Sequence, residues 1–277
     1  MLCVLKKEDE QRLSTFLTEH KLAIDPYQEQ CFLYKQNGEI RGVSSVRIFF
    51  NDAKEKETQT QVYVAPNYRN VGIGKSLYDH VEKVSRNSGA DLITIYMTTD
   101  FCHSYQFCEK MGFQKWWGSP ELLYEGEEFD AVALPFIVYE DKYFDQYVKM
   151  VQDAFYEIQK FNDLKPYIAT EKIVNTYQLN NKENVYLLLD GEELLASVTV
   201  GEETLENLMV SPRYQGKGLG RKALQFGMNR LHKKGVRRVS ICYMEGNMAA
   251  EQLYESVGFK LVKETHVYRK YIRKESS

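Results

Sequence analysis

Each half of the chain contains two strand-like runs of apolar residues on either side of a short polar turn. The runs cover 31–34 and 40–50 in the first half, and 185–189 and 193–200 in the second. The turns contain Asn37-Gly38 and Asp190-Gly191, dipeptides that favour tight hairpins because both central residues must adopt positive φ. Each half is therefore predicted to contain a β-hairpin.

Apolar residues at i, i+4 and i+7 then predict an amphipathic helix in each half, over 74–85 and over 220–233. The two stripes are Leu77, Val81 and Val84, and Leu224, Met228 and Leu231. A predicted strand precedes each helix and another follows it. Because such a helix connects two neighbouring strands, part of each sheet is predicted to be parallel.

The segment that enters each of these helices is nearly the same in both halves. Residues 64–74 read Val-Ala-Pro-Asn-Tyr-Arg-Asn-Val-Gly-Ile-Gly, and residues 210–220 read Val-Ser-Pro-Arg-Tyr-Gln-Gly-Lys-Gly-Leu-Gly. The offset between the copies is 220 − 74 = 146, and Gly112 matches Gly258 at the same offset, 258 − 112 = 146. Two motifs that keep one register indicate a duplicated domain.

The order of predicted elements in each half is β-α-β-β-β-α-β-α-β. This order predicts an α/β (α+β) fold in two domains, each a mixed central sheet flanked by helices. The repeat places the boundary near residue 130, which gives predicted domains of 1–130 and 131–277. Each is long enough to bury a core of its own.

Composition and charge narrow the functional classes. Of the 277 residues, 43% are hydrophobic and 27% charged, which is typical of globular proteins, and the net charge of −3 argues against nucleic acid or an anionic membrane as a partner. The N-terminal region is charged too early for a signal peptide, and no apolar run approaches the ~20 residues of a membrane span. The five cysteines lack zinc-site or disulfide spacing, and the five histidines lack metal-ligand spacing. We expect a cytoplasmic protein with no metal site.

Glycines at the start of a helix are typical of phosphate-binding loops. Two known kinds of such loop, the Walker loop and the dinucleotide fingerprint, fit the two copies poorly. A Walker loop fails because Arg69 replaces its first glycine in one copy and Arg221 replaces its lysine in the other. The dinucleotide fingerprint Gly-x-Gly-x-x-Gly/Ala is met by 218–223. It fails in the first copy, where Leu77 takes the last position. A dinucleotide-binding protein remains one alternative.

The pattern that both copies share, Val-x-Pro-x-Tyr-(Arg/Gln)-x-x-Gly-x-Gly, resembles the acyl-CoA loop of the Gcn5-related N-acetyltransferase (GNAT) superfamily. The second half also contains that family's later motif, Asn247-x-x-Ala250-x-x-Leu253-Tyr254-x-x-x-Gly258-Phe259. The resemblance covers nearly the whole chain and implies a tandem pair of GNAT-like domains with acetyl-CoA as co-substrate.

The resemblance also implies the binding residues. In the second half, they are Leu208, Met209, Val210, Gln215, Gly216, Lys217, Gly218, Leu219, Gly220, Arg221, Asn247 and Ala250. A candidate second cofactor loop in the first half contains Arg69, Asn70, Val71, Gly72, Ile73, Gly74 and Lys75. Asn247 also stands where a helix N-cap is needed, so capping alone and capping with ligand contact both remain open.

Two residues of the second half are predicted to be catalytic. A tyrosine titrates near ~10 and a thiol near ~8.5, so Tyr254 stays protonated at neutral pH and can donate its proton to the departing thiolate. An alkylamine is almost entirely protonated at pH 7, so it requires either a base, acting directly or through water, or a desolvated pocket, and Glu206 is the candidate base. At the repeat offset, the first half has Cys108, Thr60 and Phe101 in place of Tyr254, Glu206 and Asn247. We therefore expect a degenerate first domain and a catalytic second domain.

These observations predict an N-acetyltransferase that moves an acetyl group from acetyl-CoA directly to a primary amine of a small molecule or peptide. We expect a monomer or a homodimer. An alternative from another class is a non-catalytic acyl-CoA-binding or regulatory protein. The identity of the acceptor amine is left open by the sequence.

Overall fold

A computed structural model of the chain describes residues 1–98 and 104–273. The strands are β1 Leu2–Val4, β2 Gln30–Gln36, β3 Glu39–Phe50, β4 Lys56–Val64, β5 Leu92–Thr98, β6 Gln114–Tyr124, β7 Phe136–Val138, β8 Val185–Asp190, β9 Glu193–Val200, β10 Thr204–Val210, β11 Val239–Cys242 and β12 Lys260–Tyr271. The α-helices are α1 Glu10–Glu19, α2 Ile73–Asn87, α3 Ser104–Lys110, α4 Phe144–Phe161, α5 Glu171–Ile173, α6 Leu219–Lys233 and α7 Met248–Val257. Among these described helices, none is long and apolar enough to cross a membrane.

The predicted mixed α/β architecture is confirmed in both halves. Both hairpins form, β2 with β3 and β8 with β9, and the glycines of both turns adopt positive φ. The pairs β4/β5 and β10/β11 are parallel, whereas β1/β2, β2/β3, β3/β4, β7/β8, β8/β9, β9/β10 and β6/β11 are antiparallel. Helices α2 and α6 make the connections between the parallel strands, as the pattern predicted.

Contacts divide the chain into two compact units, and the residues of these units differ from those that a division at residue 130 would give. Unit 1 contains Met1–Lys115 together with the chain from Val267 onward, and unit 2 contains Trp116–His266. The last strand of each sequence half therefore contributes to the unit of the other half: most of β6 belongs to unit 2, and the end of β12 belongs to unit 1. The domains 1–130 and 131–277 remain a prediction about the duplicated sequence.

Unit 1 has the strand order β1-β2-β3-β4-β5, followed by the end of β12. Lys270 of β12 is fixed there by α2 and the loop after α3. Its Nζ donates to the Tyr78 hydroxyl at 3.1 Å, to Glu82 Oε2 at 2.8 Å and to the Met111 carbonyl at 2.8 Å. These bonds compensate the ammonium group for the water that it loses on partial burial.

Unit 2 has the strand order β6-β11-β10-β9-β8-β7, with the beginning of β12 on the other side of β6. One face of this sheet packs on α6 and α7, in a core that includes Val198, Leu205, Leu224 and Ile241. The other face packs on α4, in a second core that includes Met209. Residues of β6 enter the first core, so a strand from the first sequence half completes the unit that contains the second glycine loop.

Candidate active site

The second glycine loop follows β10 and ends at the first turn of α6. A single 3₁₀ turn, Pro212–Tyr214, leads into it, and Gly216 and Gly218 then adopt positive φ of 73° and 77°. A Cβ built on either glycine meets no atom within 4 Å. The loop therefore presents open space beside its backbone, at a conformation that favours glycine.

The backbone N–H groups of this loop have no partners within the described part of the chain. Residues 216–218 donate no hydrogen bond there, and the first N–H of the helix to be paired is that of Lys222, which donates to the Gly218 carbonyl at 3.2 Å. The N–H groups from 216 to 221 are therefore consecutive and unpaired. Together with the positive end of the α6 dipole they form an arrangement that suits phosphate oxygens.

Positive side chains surround the loop with little compensation. Lys217 and Lys222 form no ion pair within residues 1–98 and 104–273, and the Lys217 ammonium lies 4.7 Å from the centre of the Tyr214 ring. Arg221 donates to the neutral Ser256 hydroxyl at 2.7 Å, and Arg213 is 4.0 Å from Glu193. This charge is available to an anionic ligand.

Gln215 connects the loop to the end of β10. Its Nε2 donates to the Val210 carbonyl at 3.3 Å, and in the first copy Arg69 Nε donates to the Val64 carbonyl at 2.9 Å. The same contact at the same offset explains why both copies have a long hydrogen-bond donor at this position. Both residues hold the loop in shape, a role that the sequence analysis did not assign to them.

Strands β10 and β11 separate just before the loop. Their paired register covers only Thr204 and Leu205 of β10. Beyond it, β10 has a bulge against β9 between Glu206 and Met209, and Asn207 adopts a positive φ of 47°. A bulge bends the strand and disrupts its ladder. The predicted binding residues Leu208, Met209 and Val210 therefore lie on backbone without a β11 partner.

Tyr254 of α7 is 4% exposed, in the core between α6, β11 and β6. Its ring packs edge-on against Tyr243, with centroids 6.1 Å apart, and lies tilted against Phe259, with centroids 6.0 Å apart. Burial raises the pKa of its hydroxyl, and the Cys242 thiol at the end of β11 adds to the rise. The hydroxyl therefore remains protonated over the whole physiological range.

Asn247 and Ala250 lie at the start of α7. Asn247 caps the helix, since its Oδ1 accepts from the Ala250 N–H at 3.1 Å, and this bond leaves its amide NH₂ for another partner. Gly220 in the glycine loop lies close to the same helix: a Cβ there would be 3.3 Å from Leu253 and 3.7 Å from Val210. The loop, the end of β10 and α7 thus meet at one place in unit 2.

Glu206 lies at the beginning of the bulge. Its side chain is exposed and accepts from the Thr204 hydroxyl at 2.9 Å. With Glu202, Glu203 and Val236 it lines a cavity of about 560 Å³. In the described residues, no group of histidine, cysteine and acidic side chains has an arrangement that could hold a metal ion.

Comparison with known proteins identifies the family. The model of the acetyltransferase (GNAT) family matches the chain twice, over residues 4–113 and 145–259. The chain belongs to the GNAT acetyltransferase family. Both GNAT matches contain one of the two glycine loops, in agreement with the duplication.

Curated relatives match parts of the chain. It is 42% identical over 65 residues to the [ribosomal protein bS18]-alanine N-acetyltransferase of Escherichia coli K12, an alignment that covers 24% of this chain and 44% of that protein. It is 32% identical over 92 residues to the mycothiol acetyltransferase of Corynebacterium glutamicum, which covers 31% of this chain and 32% of that protein. The chain thus spans less than half the length of these relatives.

Solved structures match the whole chain at low identity. A GCN5-related N-acetyltransferase from Sphaerobacter thermophilus has a TM-score of 0.70 with 16% identity, over 99% of this chain and 96% of that chain. A tandem GNAT protein from the clavulanic acid biosynthesis pathway has a TM-score of 0.62 with 13% identity, over 100% of this chain and 99% of that chain. These matches show that the tandem GNAT fold extends over the full chain.

The first GNAT loop keeps its shape. Asn70 and Gly72 adopt positive φ of 61° and 90°, and the first paired N–H of α2 is that of Ser76, which donates to the Gly72 carbonyl at 3.0 Å. Its charge is more fully compensated than in the second loop, because Lys75 pairs with Asp79 at 2.6 Å. The side chain of Arg69 is held against Val64, as described above.

The chemistry around the first loop differs. The register of β4 against β3 is continuous, without the bulge of β10. Cys108, at the position of Tyr254, is buried beside Met97, and burial together with Glu109 raises its pKa to about 12, which disfavours a reactive thiolate. Phe101, at the position of Asn247, lies outside the described residues.

Sequence reasoning missed two residues that the GNAT fold places beside the proposed site. Cys242 is directly opposite Glu121 in the pairing of β11 with β6, and the residue is exposed although its sulfur is partly shielded from water. Burial around the sulfur raises the pKa of Cys242, and the Glu121 and Glu206 carboxylates add to the rise. No pattern in the sequence predicts a contact between Glu121 and the second half of the chain, because β6 lies in the first half of the sequence.

Proposed function

We propose that the chain is an N-acetyltransferase that moves the acetyl group of acetyl-CoA directly to a primary amine of a small molecule or peptide, at unit 2. The observation that carries this proposal is the protonated, buried Tyr254 hydroxyl next to Cys242, at the end of β11 where β10 and β11 have separated. GNAT proteins use acetyl-CoA as a rule. Unit 2 has groups that suit the pyrophosphate, the pantetheine arm and the thioester of acetyl-CoA.

The glycine loop suits the pyrophosphate. The unpaired N–H groups of 216–221 and the uncompensated Lys217 and Lys222 provide donors and positive charge, and Gly216 and Gly218 leave room for close approach. The Asn247 amide and the small Ala250 face the pantetheine arm in this proposal. The backbone of 208–210, free on its β11 side, supplies N–H groups for the thioester oxygen.

The reaction in this proposal is a direct displacement. The amine nitrogen attacks the thioester carbonyl carbon, an N–C bond forms, and the C–S bond breaks. The leaving thiolate takes the proton of the Tyr254 hydroxyl. Glu206, directly or through water, takes one proton from the ammonium before the attack and passes it to solvent, and the nitrogen loses its second proton to solvent as the amide forms. A proton from solvent restores Tyr254, so the products are the acetamide and the free thiol of CoA.

A thiol-release assay over a panel of primary amines tests the proposal. We expect thiol release that depends on the amine and yields one acetamide per thiol. Thermal stabilisation by acetyl-CoA and CoA without amine-dependent release would instead support the non-catalytic acyl-CoA-binding alternative. Stabilisation by NAD but not by CoA would support a dinucleotide-binding protein and would refute acetyl transfer.

We further propose that the first loop is catalytically silent. Gly72 and Gly218 are matched sites, each at positive φ with no atom within 4 Å of a built Cβ. Substitution of either by Ala therefore introduces similar backbone strain. We expect Gly218→Ala to lower turnover strongly and Gly72→Ala to leave it nearly intact. Equal loss in both folded variants would contradict the assignment of catalysis to unit 2 alone.

A further inference from the structure

The C-terminal end of α4 reaches across the opening between β10 and β11. Helix α4 packs on β9 and β10, in a core that includes Met209 of β10. Its end is bonded to the segment 243–247, which follows β11 and leads into α7. In the described part of unit 2, the paired register of β10 with β11 ends at Leu205 and Ile241, so the strand ladder does not fix the distance between these strands beyond that point. The end of α4 is placed to fix it.

Asn162 makes one bond across this opening. It directly follows the last residue of α4 and is 5% exposed. Its Nδ2 donates to the Ile158 carbonyl of α4 at 2.9 Å and to the Glu245 carbonyl of the segment after β11 at 3.0 Å. One amide group therefore satisfies a carbonyl on each side of the opening. Loss of this donor is costly, because a partly buried carbonyl regains little hydrogen bonding from water.

A second bond holds the same end of α4. Trp116 of β6 donates from its Nε1 to the Asp163 carbonyl at 3.1 Å. Strand β6 pairs with β11 on the side away from β10, so both bonds connect α4 to the β11 side of the opening. We call Asn162 and Asp163, with their partners Glu245 and Trp116, the α4 clamp.

The segment that the clamp holds also places the proposed pantetheine and acid groups. Asn247 comes shortly after Glu245 and caps α7, and Tyr254 lies about two turns further along the same helix. The segment fits closely against α4, since a Cβ built on Gly246 would be 2.5 Å from a carbon of the Phe161 ring. A shift of the segment would therefore move the cap and the helix that carries the Tyr254 hydroxyl.

On the opposite face of the sheet, α6 and α7 are also connected. Arg221 of α6 donates to the Ser256 hydroxyl of α7 at 2.7 Å, but this bond is exposed. Water competes with an exposed hydrogen bond more than with a buried one, so the Asn162 amide makes the more rigid connection. The clamp therefore has the larger part in holding the two sides of the opening together.

We propose that Asn162 is a positioning residue that sets the width of the opening between β10 and β11 and thereby the fit of the pantetheine arm. This inference rests on the function proposed above and adds the residue that joins the two sides of its site. The glycine loop belongs to the β10 side and Asn247 to the β11 side. A ligand that contacts both sides depends on the distance between them, whereas a ligand that contacts only the loop does not.

Two matched ligands test the proposal by calorimetry. CoA contains the pyrophosphate and the pantetheine arm, and 3′-phospho-ADP contains the same nucleotide and pyrophosphate without the arm. The ratio of their affinities measures the contribution of the arm. In Asn162→Leu, which keeps the approximate volume and removes both hydrogen bonds, we expect 3′-phospho-ADP to bind unchanged and the ratio to fall by about tenfold, the effect of one hydrogen bond to the arm.

Turnover gives a second readout of the same variant. A misplacement of ~1 Å can lower a rate by about 10²-fold, so kcat of Asn162→Leu should fall by at least about tenfold. A residue that serves stability alone would change neither the affinity ratio nor kcat in the folded protein. The two readouts therefore distinguish positioning from general support of the fold.

Asn229→Leu is the matched control. Asn229 is 8% exposed, and its Nδ2 donates to the Phe129 carbonyl at 2.9 Å and to the Asp130 carbonyl at 3.2 Å. It thus ties a distant segment to a helix, as Asn162 does, but near the end of α6 that lies away from the glycine loop. The control should lower stability by a similar amount and leave the ratio and kcat unchanged. An equal fall of the ratio in both variants would overturn the proposal.

Trp116→Phe removes the other bond of the clamp and serves if Asn162→Leu does not fold. We expect the affinity ratio to fall in this variant too, by a smaller factor, because the Asn162 bonds remain. An unchanged ratio in Asn162→Leu, or in Trp116→Phe where only that variant folds, would overturn the proposal.

Binding and turnover together separate this inference from the proposed activity. If no amine is acetylated but Asn162→Leu lowers the affinity ratio, acetyl transfer is refuted and the positioning role stands. If amines are acetylated and Asn162→Leu changes neither the ratio nor kcat, the positioning role is refuted and the transfer stands.

Discussion

The Tyr254→Phe variant separates catalysis from packing at the proposed site. Phenylalanine keeps the ring, which makes centroid contacts of 6.1 Å with Tyr243 and 6.0 Å with Phe259, and removes only the hydroxyl. Because Tyr254 is 4% exposed, the variant leaves the shape of the core unchanged. We therefore expect a stability change within about 1 kcal/mol, the usual range for loss of one hydroxyl without a cavity.

The effect on turnover should be far larger. Loss of a general acid typically lowers kcat by about 10²- to 10⁴-fold, which corresponds to roughly 3–5 kcal/mol in the activation free energy. The affinity for acetyl-CoA should change little, since the hydroxyl acts on the leaving group and not on the bound thioester. The expected signature is a large fall in kcat with an unchanged Kd for acetyl-CoA.

Steady-state kinetics, calorimetry and thermal unfolding measure these three quantities. Tyr243→Phe is the matched control, because Tyr243 touches the Tyr254 ring and burial together with Glu251 raises its pKa to about 12. It should keep most of the turnover. Turnover of Tyr254→Phe equal to that of the unmodified protein at every pH would remove Tyr254 from the mechanism. Equal losses in both variants would indicate a packing effect.

Three further predictions concern the second glycine loop, the C-terminal strand and the Cys242 thiol. Gly218→Ala should weaken acetyl-CoA binding by at least about tenfold in calorimetry. Gly235→Ala is the matched control, because Gly235 has a similar φ, 87° against 77° for Gly218, and a Cβ built on either residue meets open space. The control should lower stability by a similar amount and leave acetyl-CoA binding unchanged. If Gly218→Ala bound acetyl-CoA as tightly as the unmodified protein, the loop would be only a turn. Lys270 and other neighbours lower the pKa of Glu82 from 4.5 to about 2, so this carboxylate stabilises the fold above pH ~4.5 and that contribution is lost as the pH falls toward 2. Urea unfolding of Lys270→Met should therefore show less loss of stability over this interval, and an unchanged pH dependence would contradict the assignment. Alkylation of Cys242 by iodoacetamide should be slower at pH 7 than that of an ordinary exposed thiol, because burial and the nearby carboxylates raise its pKa. Peptide mapping against pH checks this, and alkylation at neutral pH as fast as that of a free thiol would refute it.

The sequence determined the local structure and the repeated architecture. Asn37-Gly38 and Asp190-Gly191 fixed both hairpins, and the apolar stripes fixed α2 and α6 to within two residues at each end. These features depend on neighbours close along the chain, where turn conformation and helical periodicity act directly. The offset of 146 indicates the duplication, and the GNAT-like motifs predict the residues of both glycine loops.

Only the tertiary structure decided which strand completes which unit. Lys270 fits unit 1 because Tyr78 and Glu82 accept its three-donor head group, whereas Tyr124, at the same position of the repeat, packs in the core of unit 2. Such partners are distant in sequence, so no local pattern contains them. The same pairing brings Glu121 of the first half beside Cys242 of the second. The bulge at Asn207 is equally invisible in the sequence, since strand register is set by long-range pairing and not by the residues of one strand alone.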